Sequence, residues 1–304
     1  MIPVQEAIRA ALREAAAAGT GPLGLAFHDF TTGETVLHNG DRPFPMASVY
    51  KIFTLCELFR QQKEGLLSLE DRHVLLEREK RPGSGVLELV GEGAVFSLAD
   101  LAALMIAISD NTSAGILTDL VTRERIRRDI LEPLGLRETK IDLEEGILPT
   151  YYGVDVDTYR RICDSGGRFF CRDGDYFACR TERNVQTSPR DLLKLLCLLH
   201  DGKLIDPAAD RAILDVMTRC RSTARIPAHL PAGTKTAHKT GSVDHVANDA
   251  GIVFSHRGDY ALALFYNGNL ASEEEYNGTS WSDAGDRILA RLSGRIWDAY
   301  ANRG

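Results

Sequence analysis

Apolar side chains recur every three or four positions through residues 2–18 (IPVQEAIRAALREAAAA) among strong helix formers, and Gly19 to Pro22 ends the run. That spacing predicts an amphipathic helix. Two short β-type runs follow, Leu23 to Phe30 and Glu34 to His38, joined by Thr31-Thr32-Gly33, so a hairpin is expected. Pro43-Phe44-Pro45 breaks regular structure, and from Ser48 onward Ile52, Phe53, Leu55, Cys56 and Phe59 follow a helical stripe. Ser48 is thereby set at a helix start.

A helical block is predicted from there to about residue 220, punctuated by capping signals at Ser97-x-x-Asp100 and Ser188-Pro189-x-Asp191. Residues 144–187 carry Gly146, Pro149, Gly153, Gly166, Gly167 and Gly174 among aromatic and charged side chains, which reads as a long irregular excursion forming one wall of a cleft. Beyond Pro231-Ala232-Gly233 the pattern turns to strands, Thr234 to Lys239, Ala250 to His256 and Tyr260 to Asn267. Asp283 to Asn302 closes the chain as a helix with Ile288, Leu289, Leu292, Ile296 and Trp297 on one face. Strands near both chain ends imply one sheet with a helical insertion. The expectation is an α+β protein with an α/β lobe from 1–45 with 222–304, an all-helical lobe from 46–221, and a cleft between them.

The 304 residues are 44% hydrophobic and 26% charged, enough for a large core, and disorder is not expected. Against 43 Asp and Glu stand 36 Lys and Arg, a net charge of -7 with no basic stripe, so nucleic acid is not expected as a partner. No stretch approaches the roughly 20 apolar residues of a membrane span. The start, Met1 to Glu6, lacks the marks of a secretory signal; the chain as it stands reads as cytoplasmic, and a leader removed from its front would make it periplasmic or secreted. A monomer is expected. Cys56, Cys163, Cys171, Cys179, Cys197 and Cys220 lack the close pairs of a zinc site, and the favoured reading is small buried side chains plus one or two exposed thiols. No metal or cofactor is expected.

Three motifs carry chemistry: Ser48-Val49-Tyr50-Lys51, Ser109-Asp110-Asn111 and Lys239-Thr240-Gly241. Residues three apart on a helix share a face, which brings the Lys51 amine toward the Ser48 hydroxyl. A serine hydroxyl needs a base, and a lysine serves as one only when desolvation or nearby positive charge lowers its pKa. Lys239 is a candidate source of that charge. The Ser48 N–H at a helix start, with a second N–H at Ser242, would face a developing oxyanion. Each motif alone has a plainer explanation: a capping serine with a surface lysine, a polar turn, an exposed strand end. Three in compatible contexts outweigh those. His238 and His245 invite a Ser–His pair, but no G-x-S-x-G elbow is present, so they read as strand or rim residues.

The same three motifs mark class A β-lactamases and penicillin-binding proteins, and the strings PMASVYK, GSGVL, LMIAISDNTSAGIL, LPAGTKTAHKTG and NDAGIVF also resemble the class A-like serine hydrolases over nearly the whole chain. The resemblance implies an antiparallel sheet flanked by the N- and C-terminal helices. It implies Ser48 as nucleophile, Lys51 as base, Ser109 as proton relay and Asn111 as partner of the substrate amide. Lys239, Thr240 and Gly241 would bind substrate with Ser242, and Arg225 matches a carboxylate-binding arginine of some relatives, with an ordinary surface arginine as the competing reading. Glu145 aligns with the glutamate that activates the deacylating water. After it comes Gly146-Ile147-Leu148-Pro149 where the family has Glu-Leu-Asn, and a solvated loop carboxylate competes. Three functions stay open: a β-lactamase; a D-amino-acid peptidase, amidase or esterase; and a penicillin-binding sensor that acylates without turnover. In each the partner is a small β-lactam or peptide-like molecule.

Overall fold

Helix and hairpin form at the amino end as predicted, α1 at Val4–Ala17, β1 at Leu23–Asp29 and β2 at Thr35–His38. The computed structural model describes residues 4–17, 21–141, 185–243, 246–268 and 281–301. Next come β3 (Phe44–Pro45), a 3₁₀ turn (Ala47–Tyr50), α2 (Lys51–Lys63), β4 (Arg72–Val74), β5 (Val95–Ser97), α3 (Leu98–Ala107) and α4 (Asn111–Val121). A helical run with a π-turn at Arg127–Leu131 joins α5 (Arg123–Ile126) to α6 (Glu132–Leu134). Then follow β6 (Gln186–Thr187), α7 (Pro189–His200), α8 (Pro207–Met217), β7 (Thr236–Val243), β8 (Val246–Val253), β9 (Tyr260–Asn267) and α9 (Trp281–Ala301).

One five-stranded sheet runs in the order β2-β1-β9-β8-β7, every described pairing antiparallel. Both faces are covered, so β8 and β9 are buried almost throughout, and the period of two sorts their side chains between two cores. Tyr260, Leu262, Leu264 and Tyr266 join Leu25 and Phe27 under α1 and α9, where Ile8, Leu289, Leu292 and Ile296 complete one core. Ala261, Ala263, Ala26, Ala250 and Ala237 face the other way into the core built with α2, α3, α4, α7 and α8. Large residues fill the first face, while the second carries this alanine patch flanked by Ile252 and Phe265. Over the patch helices can approach the sheet closely, because packing at crystal density leaves no gap for anything larger.

The capping signals act as read. Ser97 accepts from Asp100 N at 3.0 Å while the Asp100 carboxylate accepts from Ser97 N at 3.0 Å, and Ser188 accepts from Asp191 N at 3.1 Å with Pro189 in the first turn of α7. These bonds satisfy amides that a helix start leaves unpaired.

Three boundaries differ from the sequence reading. β7 runs on to Val243 and β8 begins at Val246, because the polar Asn248 and Asp249 that hid the strand are buried with specific partners. Within the expected helical block, β4 and β5 form a hairpin, Arg72 opposite Ser97. Phe44 and Pro45 pair with Thr187 and Gln186 rather than breaking structure; a two-residue edge strand tolerates the proline.

Docking of α9 is open to measurement. Ile296 is fully buried against the sheet, so Ile296→Ala is expected to lower unfolding free energy by about 2–5 kcal/mol in a denaturant titration; a loss below ~1 kcal/mol would mean that this helix does not seal the core.

Candidate active site

The turn that carries Ser48 is held from outside its own segment. Asn248, buried on β8, donates from Nδ2 to Pro45 O at 2.8 Å and to Met46 O at 3.0 Å, and Met46 N donates to Val185 O at 2.8 Å. Ala47 takes the left-handed φ of 45°, a conformation that costs about 1 kcal/mol and persists only where surroundings enforce it. The 3₁₀ turn then feeds α2, and Ser48 is half-buried at its start. Strand β7 crosses the turn at Gly241, where an added Cβ would stand 2.5 Å from Met46 O and 3.1 Å from Ser48 N. Only glycine permits that contact.

Lys51, at the first position of α2, is 1% exposed. Its Nζ donates to Ser109 O at 2.6 Å, to Asn111 Oδ1 at 2.9 Å and to the Ser109 hydroxyl at 3.1 Å. Two of these partners can only accept, whereas the third is a hydroxyl that can reverse direction. A neutral amine, with two protons and one lone pair, fits that set. Burial pushes the Lys51 pKa well down, the Lys239 charge pushes it further, and Asp110 opposes them. The Ser48 hydroxyl makes no hydrogen bond among the described residues.

Ser109 sits between α3 and α4 with a left-handed φ of 59°, which aims both its carbonyl and its hydroxyl at Lys51. Asp110 enforces the corner: one carboxylate oxygen accepts from Ser113 N at 2.8 Å, capping α4, and the other from Val86 N at 2.6 Å and Leu87 N at 2.9 Å. Asn111 donates from Nδ2 to Pro82 O at 2.9 Å, leaving the second amide proton for a ligand.

Lys239 approaches from the sheet side, fully buried, donating to Thr240 O at 2.7 Å. Burial lowers its pKa to about 8, Cys220 and Asp249 pull the other way, and Arg225 adds to the fall. Arg225 is 3% exposed, not a surface residue. Its Nε pairs with Asp286 at 2.6 Å, its Nη1 reaches Gly241 O at 2.8 Å and Asn248 O at 2.5 Å, and its Nη2 donates to the Ser242 hydroxyl. Of its five N–H groups one remains.

A hydroxyl at a helix start, a desolvated amine beside a second hydroxyl, and a buried ammonium from the sheet side make a constellation for acyl transfer. Over residues 3–300 the chain matches the family described as the β-lactamase enzyme family. The chain belongs to that family. A β-lactamase of Streptomyces fradiae is 27% identical over 242 residues, 76% of this chain and 69% of the relative. A solved β-lactamase from Sphaerobacter thermophilus has a TM-score of 0.77 at 27% identity, with 98% of each chain covered. The structure of PBP-A also has a TM-score of 0.77, at 23% identity over 99% of this chain and 98% of that one, and speaks to the fold alone. The protein is a class A β-lactamase-like serine hydrolase of α+β fold.

Within this family member the structure brings Ser48, Lys51, Ser109, Asn111, Lys239, Thr240, Gly241, Ser242 and Arg225 to one region. Glu145, and the wall expected from residues 144–187, lie outside the described residues apart from 185–187. The ends of that stretch are fixed near the site: Lys140 and Gln186 exchange backbone bonds at 2.9 Å, and Val185 O accepts from Met46. Sequence reasoning missed Asn248 and the contact of Cys220, His238 and Asp249 behind Lys239. The buried polar pair Asn248-Asp249 inside an apolar strand was the available signal.

The Gly241 contact makes a direct prediction. Gly241→Ala is expected to keep the fold while slowing labelling of the protein by a serine-directed phosphonate about 100-fold, since an ångström of displacement at a nucleophile has that effect; labelling at the parent rate would show that strand and turn are not in register.

Proposed function

We propose that the protein opens β-lactam rings through an ester on Ser48. The setting of Lys51 supports this reading, because a buried amine, driven down by its burial and by Lys239, lies one helical turn from that hydroxyl and bonds the Ser109 hydroxyl at 3.1 Å. In the first step Ser48 Oγ attacks the lactam carbonyl as Lys51 takes its proton, and the Ser48 and Ser242 N–H groups receive the oxyanion. One such donor is worth about 3–4 kcal/mol of transition-state stabilisation. The Ser109 hydroxyl, 3.1 Å from Lys51 Nζ, passes the proton on to the ring nitrogen as the C–N bond breaks, and takes it back from the lysine. Asn111 orients the substrate amide. Lys239 and Thr240 bind the substrate carboxylate, while Arg225 sets the Ser242 side chain and offers its remaining N–H. Glu145 then deprotonates the water that cleaves the ester, the step that separates turnover from a lasting adduct.

A chromogenic cephalosporin, followed together with the intact mass of the protein, tests each step. Turnover without a persisting adduct is expected; a stoichiometric lasting adduct would instead make the chain a non-turnover binder, and no reaction, with cleavage of D-amino-acid amides or esters, an amidase. Ser48→Ala is expected to abolish adduct and turnover alike. Glu145→Gln is expected to trap the adduct and slow turnover at least about 100-fold; unchanged turnover removes that residue from the mechanism.

The pH profile follows from Lys239. It is charged below and neutral above about 8, so carboxylate binding weakens as pH rises through that value. The expected kcat/KM has an alkaline limb near 8, and a profile level up to 10.5, the ordinary lysine value, would show that Lys239 does not hold the substrate.

A further inference from the structure

Asp191, in the first turn of α7, is a buried carboxylate that the acyl-transfer steps leave unused. Its Oδ2 accepts from Glu138 N at 2.9 Å and from the Thr139 hydroxyl at 3.0 Å, 53 and 52 positions back along the chain. Capping α7 does not call for these bonds, because the cap is the Ser188 hydroxyl on Asp191 N. A carboxylate taken out of water persists where donors replace its hydration. Here the donors come from the segment that follows α6, so the carboxylate ties that segment to the start of α7.

The contacts run on in one direction. A hydroxyl has a single proton, and Thr139 gives its own to Asp191, so the 2.8 Å bond between Thr139 and Thr187 is donated by Thr187. Both threonines are buried, Thr187 completely. Thr187 belongs to β6, whose other residue, Gln186, exchanges both backbone bonds with Lys140 at 2.9 Å and donates from Nε2 to Glu138 O at 3.3 Å. One edge of β6 is thereby fastened to residues 138–140. The other edge pairs with β3, Thr187 opposite Phe44 and Gln186 opposite Pro45. That ladder goes one rung further, where Met46 N donates to Val185 O at 2.8 Å. Met46 stands two positions ahead of Ser48, and Ala47 between them holds the left-handed φ of 45°.

We propose that Asp191 is a positioning residue for the nucleophile: through Thr139 and Thr187 it fixes β6, and β6 holds the turn that presents Ser48. The turn then has two anchors. Asn248 takes the carbonyls of Pro45 and Met46 from the sheet side, and Val185 O takes the Met46 amide from the helical side. Both are needed, because a left-handed alanine persists only where its surroundings enforce it. Removing the Asp191 acceptor leaves the Thr139 hydroxyl and Glu138 N without their partner, and a buried donor left unpaired is costly enough for the segment to shift. A shift passed through β6 to Ser48 slows attack on the carbonyl and leaves the groups that bind the substrate in place. The inference rests on Ser48 as the nucleophile, as proposed above, and asks nothing of Glu145.

The test is a saturation series on the full chain, the rate of acylation by a fluorescent penicillin against its concentration. Such a series separates the acylation rate constant from the dissociation constant of the complex that precedes it. Asp191→Ala is expected to lower the rate constant about tenfold and to leave the dissociation constant within about twofold. Asp191→Asn keeps an oxygen that accepts both bonds and is expected to stay within about threefold of the parent. Thr187→Val breaks the chain without touching the carboxylate and is expected to act as Asp191→Ala does; it decides alone should Asp191→Ala not fold. Ser188→Ala removes the α7 cap and lowers stability, yet is expected to acylate at the parent rate.

Acylation at the parent rate by either Asp191→Ala or Thr187→Val overturns the proposal, and so does a change confined to the dissociation constant. A loss in Asp191→Asn equal to that of the alanine variant overturns it too, since the acceptor oxygen is then not what matters. An equal loss in Ser188→Ala overturns it by showing that stability alone sets the rate. A parent protein that takes up no penicillin overturns the β-lactam reading only, and the same series with the serine-directed phosphonate then decides on Asp191. A phosphonate that does not label Ser48 overturns both.

Discussion

Two ammonium-bearing side chains, Lys51 and Lys239, are removed from water beside one another, and most of the surrounding structure answers that constraint. Burying one charge costs several kcal/mol even after relaxation, and burying two of like sign adds their repulsion. The protein lets one lysine give way: Lys51, whose partners suit a neutral amine, is driven far down, while Lys239 keeps more of its basicity through Cys220 and Asp249. One repulsion therefore favours a neutral amine at Lys51 and a cation at Lys239, the division of labour that the proposed acyl transfer on a carboxylate-bearing substrate uses.

Such a division works only if the two lysines cannot drift, and the sheet supplies the rigidity. Lys239 lies in register with Ala250, Ala263 and Ala26 across four strands, a row of small side chains that leaves room for its stem. The next row on that face is Gly241, Asn248, Phe265 and Gly24. Its glycines are needed for contact: one meets the Ser48 turn and the other meets the Phe44 ring and Pro189. The Ser48 and Ser242 N–H groups, on two elements, keep their spacing because no side chain intervenes between the strand and the turn.

Much of this was legible in the sequence. The three motifs are local strings, and a lysine three positions after a serine at a helix start has little freedom about where it goes. What stayed hidden was non-local. Nothing in the string around Ser109 says that its backbone is left-handed, and nothing around Lys51 says that its amine bonds Ser109 and Asn111 rather than Ser48. Arg225 read as a possible surface residue because its partners, Gly241, Ser242, Asn248 and Asp286, lie 16 to 61 positions away. Strand limits around Asn248 and Asp249 were misplaced for the same reason: polar residues deny a strand by pattern unless their partners are known. Glu145 lies outside the described residues, and the string after it departs from the family's Glu-Leu-Asn, so alignment alone left its role open.

Strand β8 shows why those polar residues belong where they are. Consecutive residues of a strand point to opposite faces, so Asn248 turns toward the cleft and holds the carbonyls ahead of Ser48, while Asp249 turns away and holds His238 and Ile226 N. Ala250 then gives Lys239 its space. Three adjacent positions serve the Ser48 turn, the imidazole behind Lys239 and the space for Lys239 itself, and the alternation ties them to one register. A slip of one residue in one direction would present the Asp249 carboxylate to the Ser48 turn, where the carbonyls of Pro45 and Met46 need a donor, and leave the imidazolium facing Ala250; a slip in the other would set Ala247 against those carbonyls and an amide against the imidazolium. Neither arrangement is stable in a dry interior, so the same side chains that tune the site also select the strand pairing that builds it.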